Sequence, residues 1–230
     1  MDVQDQSASV WGGLAGILGS FLLLGVFAFL SVFVGLDTLD AQAALERYPD
    51  IRWARVIENT AYLFALALWA LHCVSLFGVL RAESPGTALA AVVMSVLGLA
   101  ILAAGAIPHT AETVISNIYH APDTAAELIP VLVIAWQVSL GWVDTFVVTG
   151  IVLTPVGLLL YGVAMLRSAD FGSWAGWVSI LFALAGIYSA LAGLILGGDI
   201  VAVGIFALVF FHIVIGWVSF RLPHTVRRRD

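Results

Sequence analysis

Long apolar runs alternate with short polar breaks along this chain. Six runs stand out, at 11–36, 56–80, 87–107, about 142–166, 174–196 and 200–220. A helix rises about 1.5 Å per residue and a bilayer core is about 30 Å thick, so each run crosses, or nearly crosses, a membrane. The longer polar stretches, 37–55 and 108–127, read as loops. The predicted fold is an all-α polytopic transmembrane helical bundle of six spans, a single integral-membrane domain over 1–230.

One stretch leaves an alternative open. Residues 128–166 are apolar for 39 residues, about 59 Å as a straight helix and twice a bilayer core. Two spans with a tight reversal near Gly141–Asp144 would make seven helices. One span from about Trp142, with 124–141 at the interface or packed on the bundle, makes six. The second reading keeps Arg81 on the same side as most of the other arginines.

Composition agrees with lipid as the solvent. The chain is 62% hydrophobic and 10% charged, against about 25% charged for a soluble domain. The first run follows Met1–Val10, which holds Asp2 and Asp5 and no basic side chain, and it exceeds a signal core; it reads as a retained span. With the N-terminus inside, Arg81, Arg167, Arg221 and Arg227–Arg229 fall in the cytoplasm, and Arg47, Arg52 and Arg55 outside. The positive-inside rule favours that orientation, with both termini cytoplasmic, in the cell inner membrane. Most acids fall at the outer ends, among them Glu58, Glu112, Asp123, Asp144 and Asp199. The terminal arginines suit anionic headgroups, not nucleic acid.

Two absences narrow the chemistry. All nine basic side chains are arginines, so no lysine is present to form a Schiff base with retinal or pyridoxal. The single cysteine, Cys73, lies in an apolar run and allows no internal disulfide. No Walker loop, H-E-x-x-H or G-x-S-x-G motif occurs.

Small residues mark packing faces: Gly12 and Gly16 in span 1, Ala91, Ser95 and Gly98 in span 3, and Gly186, Ala190, Gly193 and Gly197 in span 5. Thr154-Pro155 sits in span 4, where proline removes a backbone donor and favours a kink. The hairpin turns after Leu76-Phe77-Gly78-Val79 and Leu160-Tyr161-Gly162-Val163 resemble each other, each leading to an arginine, and fit a short parallel repeat.

Two levels carry candidate chemistry. In span 2, Glu58, Tyr62, Trp69 and His72 share one helical face, and polar groups in a membrane helix turn towards the bundle interior. His72 and His212 lie near mid-depth on separate spans, as two ligands of a haem would, or as a packing pair. At the outer side, His109-x-x-Glu112 and His120-x-x-Asp123 each place an imidazole and a carboxylate on one face, a donor set for a divalent metal. The plainer reading gives these acids to helix starts: Glu112 to a first turn, Thr124-Ala-Ala-Glu127 to a capping box, Asp199 to the cap of the last helix. Asp144 becomes a functional candidate only if it is buried in the membrane.

Three segments carry a resemblance: Trp11-Gly12-Gly13-Leu14-Ala15-Gly16-Ile17-Leu18, the stretch from Arg52 to Glu58, and Leu160-Tyr161-Gly162-Val163 with Arg167-Ser168 and the restart Trp174-Ala175-Gly176-Trp177. In these the chain resembles the bacterial polytopic membrane family catalogued as domain of unknown function 4386. It departs from that pattern in the apolar stretch 128–141 and in His109 and His120. The resemblance implies a polytopic bundle and supplies no activity. The leading expectation is a non-enzymatic membrane protein, either a structural subunit of a complex or homo-oligomer, or a module binding a lipid, quinone or partner helix. The alternatives are a haem- or metal-binding redox or transport protein, and a small secondary transporter using Pro155 and Asp144.

Overall fold

The computed structural model describes residues 3–35, 40–196 and 200–226. Among them the fold is all α: α1 (Val3–Phe33), α2 (Ala41–Leu80), α3 (Pro85–Ala104), α4 (Ala106–Tyr119), α5 (Ile129–Arg167), α6 (Gly172–Leu196) and α7 (Val201–Val226), with a single 3-10 turn at Ala126–Leu128. Six segments are long and apolar enough to cross a membrane: Gln6–Phe33, Ala41–Leu80, Pro85–Tyr119, Ala126–Arg167, Gly172–Leu196 and Val201–Leu222. Six spans are therefore present, and 128–166 makes no reversal. Asp199, Asp37 and Arg227–Arg229 lie outside the described residues, as does Gly197.

Both expected loops are largely helix. Asp40 caps α2, its Oδ1 accepting the Ala43 N–H at 2.8 Å, so the helix starts far ahead of the apolar run. After α3, Gly105 keeps right-handed dihedrals, and the chain resumes as α4 with Pro108, Glu112 and Ser116 on its buried face. The anticipated capping box does not form. The Thr124 hydroxyl turns back to donate to the Ile118 carbonyl, and Glu127 stays exposed.

Exposed tryptophans mark the membrane level. Trp11, Trp174, Trp177 and Trp217 ring one end of the bundle; Trp53 and Trp142 stand near the other. Trp53 packs edge-on against Phe33, ring centroids 5.4 Å apart. Along α1 the rise from Trp11 to Phe33 is about 33 Å, close to the hydrocarbon thickness with its interfaces. The first turns of α2, all of α4 and the start of α5 therefore project beyond the bundle at one end, here termed the α4 end. They hold their own small core of Leu45, Tyr48, Leu132 and Trp136. Polar bonds fasten it: Tyr48 to Thr113 at 2.8 Å, Arg52 to Asn117 at 3.1 Å, and the Tyr119 hydroxyl to Glu46 at 3.1 Å. At the opposite end the two arginine-bearing turns lie side by side, the Ala169 N–H donating to Glu83 at 3.1 Å.

Lipid supplies no hydrophobic drive between helices, so close backbone approach has to hold the spans together. A Cβ on Gly157 would stand 2.6 Å from Ser95 N and 2.7 Å from Ala91 O; one on Gly150 would stand 2.9 Å from Gly98 O. The expected small-residue face of α3 is thus a seam against α5. Gly13 meets Gly216 across α1 and α7, and Gly162 meets Gly176 across α5 and α6. Pro155 seats its ring over Gly186 of α6, 2.6 Å from where a Cβ would be, so this proline is a packing contact inside a continuous α5.

Candidate binding site within the bundle

The polar stripe of α2 faces inward, as its spacing requires. Glu58, Asn59, Tyr62 and Trp69 wall a cavity of about 160 Å³ among α1, α2, the α3–α4 junction, α5 and α7. Its remaining lining is almost wholly apolar, including Leu23, Phe27, Leu102, Val147, Ile151 and Leu208. The polar groups gather towards the α4 end, where His109 joins Glu58 and Asn59. Tyr62 donates to the Leu102 carbonyl at 3.2 Å, which satisfies its hydroxyl and holds the ring against the wall.

Beside this bundle cavity is a second space of about 260 Å³, the rim cavity, walled by Val34, Gly35, Arg47, Tyr48, Arg55, Glu112, Trp136 and neighbours. Two bonds lie in the wall between them. Arg55 Nη1 donates to Glu58 Oε2 at 2.9 Å, and His109 Nδ1 stands 2.9 Å from Glu112 Oε2. In each pair one member lines the bundle cavity (Glu58, His109) and the other lines the rim cavity (Arg55, Glu112). A carboxylate drawn out of water is costly unless paired, and these contacts supply the pairing.

His72 and His212 meet below the cavity floor. Their Nδ1 atoms are 2.8 Å apart, so one ring donates and the other accepts. Trp69 stacks on His212 at 4.4 Å and 11°, and its indole N–H donates to Ser20 Oγ at 3.1 Å. Gly16 opens the space for the His72 ring: a Cβ there would stand 2.5 Å from His72 Nδ1. This contact joins the two candidate haem ligands directly to each other. Two histidines that ligate one haem stand on opposite faces of the porphyrin, whereas these rings touch and are fully buried, and neither lines the bundle cavity.

The outer metal site does not assemble either. No group of three or more His, Cys, Asp or Glu side chains converges among the described residues. His109 and Glu112 do pair, but His120 lies about 16 Å further along α4 by helical rise. There it bonds Ser116, its Nδ1 2.9 Å from the Ser116 carbonyl oxygen. Asp123 is exposed past the helix end. Asp144 is exposed on the surface of α5.

Sequence reading found Glu58, Tyr62 and Trp69 but missed Asn59, and it missed the burial of Glu112. The signal for Glu112 was present: Pro108, Glu112 and Ser116 recur every four residues, a helical face hidden in a segment that looked like a loop. No family model, curated protein or solved structure matches the chain.

Proposed function

We propose that this protein is a non-enzymatic membrane module that holds a small apolar lipid inside its bundle, with a quinone ring as the best-sized occupant. The bundle cavity carries the reading. An apolar cavity of about 150 Å³ stays dry and admits one benzene-sized ring, and this one measures about 160 Å³. Such a space is too small for a drug-sized ligand, which takes about 300 Å³ or more. The Asn59 amide and His109 at the α4 end offer hydrogen bonds to ring oxygens, while the apolar wall takes the ring faces. The same reading sets the α4 end outside the cytoplasmic membrane, with Arg81, Arg167 and Arg221 on the cytoplasmic side.

The test is to purify the protein in mild detergent, extract it with organic solvent and identify what comes off by mass spectrometry. Wild type is expected to release a quinone or similar single-ring lipid near one per chain, and Ala106→Phe, which fills the cavity wall, much less. Equal release from both proteins, or none from either, contradicts the reading.

A further inference from the structure

The layer that projects at the α4 end has two unlike outer faces. On α2 it turns Gln42, Glu46 and Asp50 outward. On α4 and α5 it turns out Ile107, Val114, Ile118, Val131, Ile134 and Val138, each between 42% and 68% exposed. α4 is thus inverted for a helix in water: it buries Glu112 and Ser116 and exposes Val114 and Ile118. Ala111 and Val138 wall one groove between α4 and α5, so the two outer faces form a continuous wall. Apart from the buried Glu112, no Asp, Glu, Lys or Arg occurs in α4 or in 129–143.

Lipid tails do not account for this wall. Asp144 is exposed on α5, and a carboxylate in hydrocarbon is costly, so the hydrocarbon ends at its level or nearer the arginine end. By helical rise Val138 lies about 9 Å beyond Asp144, and Val131 about 20 Å beyond it. Tyr48 bonds Thr113 and packs edge-on against Trp136, so this is also the level of the exposed Glu46 and Asp50.

The pattern on α5 selects the occupant. The exposed positions Val131, Ile134, Val138, Gly141 and Thr145 recur at steps of three and four, the seam spacing of a helix pair. Gly141 has nothing within 4 Å of its Cβ position, so its own chain does not need the small residue; a second backbone crossing there would. Asp144 stands about 110° around the helix from the seam. The wall, with Trp142, presents on the order of 700 Å² of apolar surface, close to the ~800 Å² that each partner gives a standard interface. The membrane holds every copy upright, so a twofold axis along its normal brings each level against the same level of the partner, uncharged wall to uncharged wall. We infer that this wall is the interface of an upright twofold homodimer, in which the two α5 helices cross along Val131, Ile134, Val138 and Gly141. The interface stands apart from the bundle cavity and does not rest on what fills it.

Cysteine crosslinking of the full chain in native membranes tests the proposal, since Cys73 is buried and stays silent. On mild oxidation Ile134→Cys should convert largely to a disulfide-linked dimer. Asp50→Cys, exposed in the same layer but on the α2 face, should stay a monomer. Light scattering in mild detergent should find two chains per wild-type particle, and one for Ile134→Glu at unchanged Tm. The crosslinking pair does not depend on the glutamate variant folding. A wall covered by lipid or by a different protein leaves Ile134→Cys unlinked to itself and wild type with one copy per particle. Either of those results overturns the proposal, as does equal crosslinking at Asp50→Cys or a folded Ile134→Glu protein that remains a dimer.

Discussion

His72 and His212 touch through their Nδ1 atoms at 2.8 Å, and each ring keeps an Nε2 without a partner among the described residues. One Nδ1 carries the bridging proton. In the neutral pair that ring has a bare Nε2, and the other has an Nε2–H. The pair thus joins α2 to α7 and leaves a donor and an acceptor unmet in a dry interior.

That relationship predicts a non-additive mutant cycle. His72→Leu alone, or His212→Leu alone, strands the remaining imidazole and should cost about 1–3 kcal/mol. The double variant removes both stranded rings and should cost clearly less than the two singles added. Thermal unfolding in detergent reads the cycle. Additive losses would mean that the hydrogen bond contributes nothing to joining the helices.

Glycines at helix crossings should behave differently from glycines in open space. Gly157→Ala forces a methyl group against the α3 backbone, where a Cβ would lie 2.6 Å from Ser95 N, and should cost about 1–3 kcal/mol. Gly78 has nothing within 4 Å of its Cβ position, so Gly78→Ala should be neutral or add up to about 1 kcal/mol of helix stability. Comparing the Tm of the two variants with wild type checks the seam between α3 and α5. A Gly157→Ala protein as stable as wild type would mean that the seam is looser than described.

Orientation is open to labelling, because Cys73, the one native thiol, is buried. Asp123→Cys adds an exposed thiol at the α4 end and Ala169→Cys one at the arginine end. A membrane-impermeant maleimide on intact cells should label the first and reach the second only after permeabilisation. The reverse pattern would invert the proposed topology.

Much of the architecture was legible in the chain. Long apolar runs fix spans because lipid offers the backbone no partner, and the period of α2 placed Glu58, Tyr62, Trp69 and His72 on the inward face. The projecting layer was not legible. Residues 41–55 and 106–119 mix polar and apolar positions at helical spacing, and their burial comes from one another and from α5, contacts far apart in sequence. Proximity of His72 to His212 followed from depth, but whether the rings touch or stand apart depends on Gly16, a residue on a third helix. The pairing of Glu112 with His109 followed from their spacing; that it forms the wall between two cavities did not.

The central claim is that the bundle cavity holds one small apolar ligand against Asn59 and His109. Titrating detergent-solubilised, delipidated protein with a short-tailed quinone and counting bound molecules by native mass spectrometry tests it most directly. Wild type should saturate at one quinone per chain, Asn59→Leu should bind more weakly, and Ala106→Phe should lose binding at unchanged Tm. Binding that never saturates, or that is the same in wild type and in a folded Ala106→Phe protein, would contradict it.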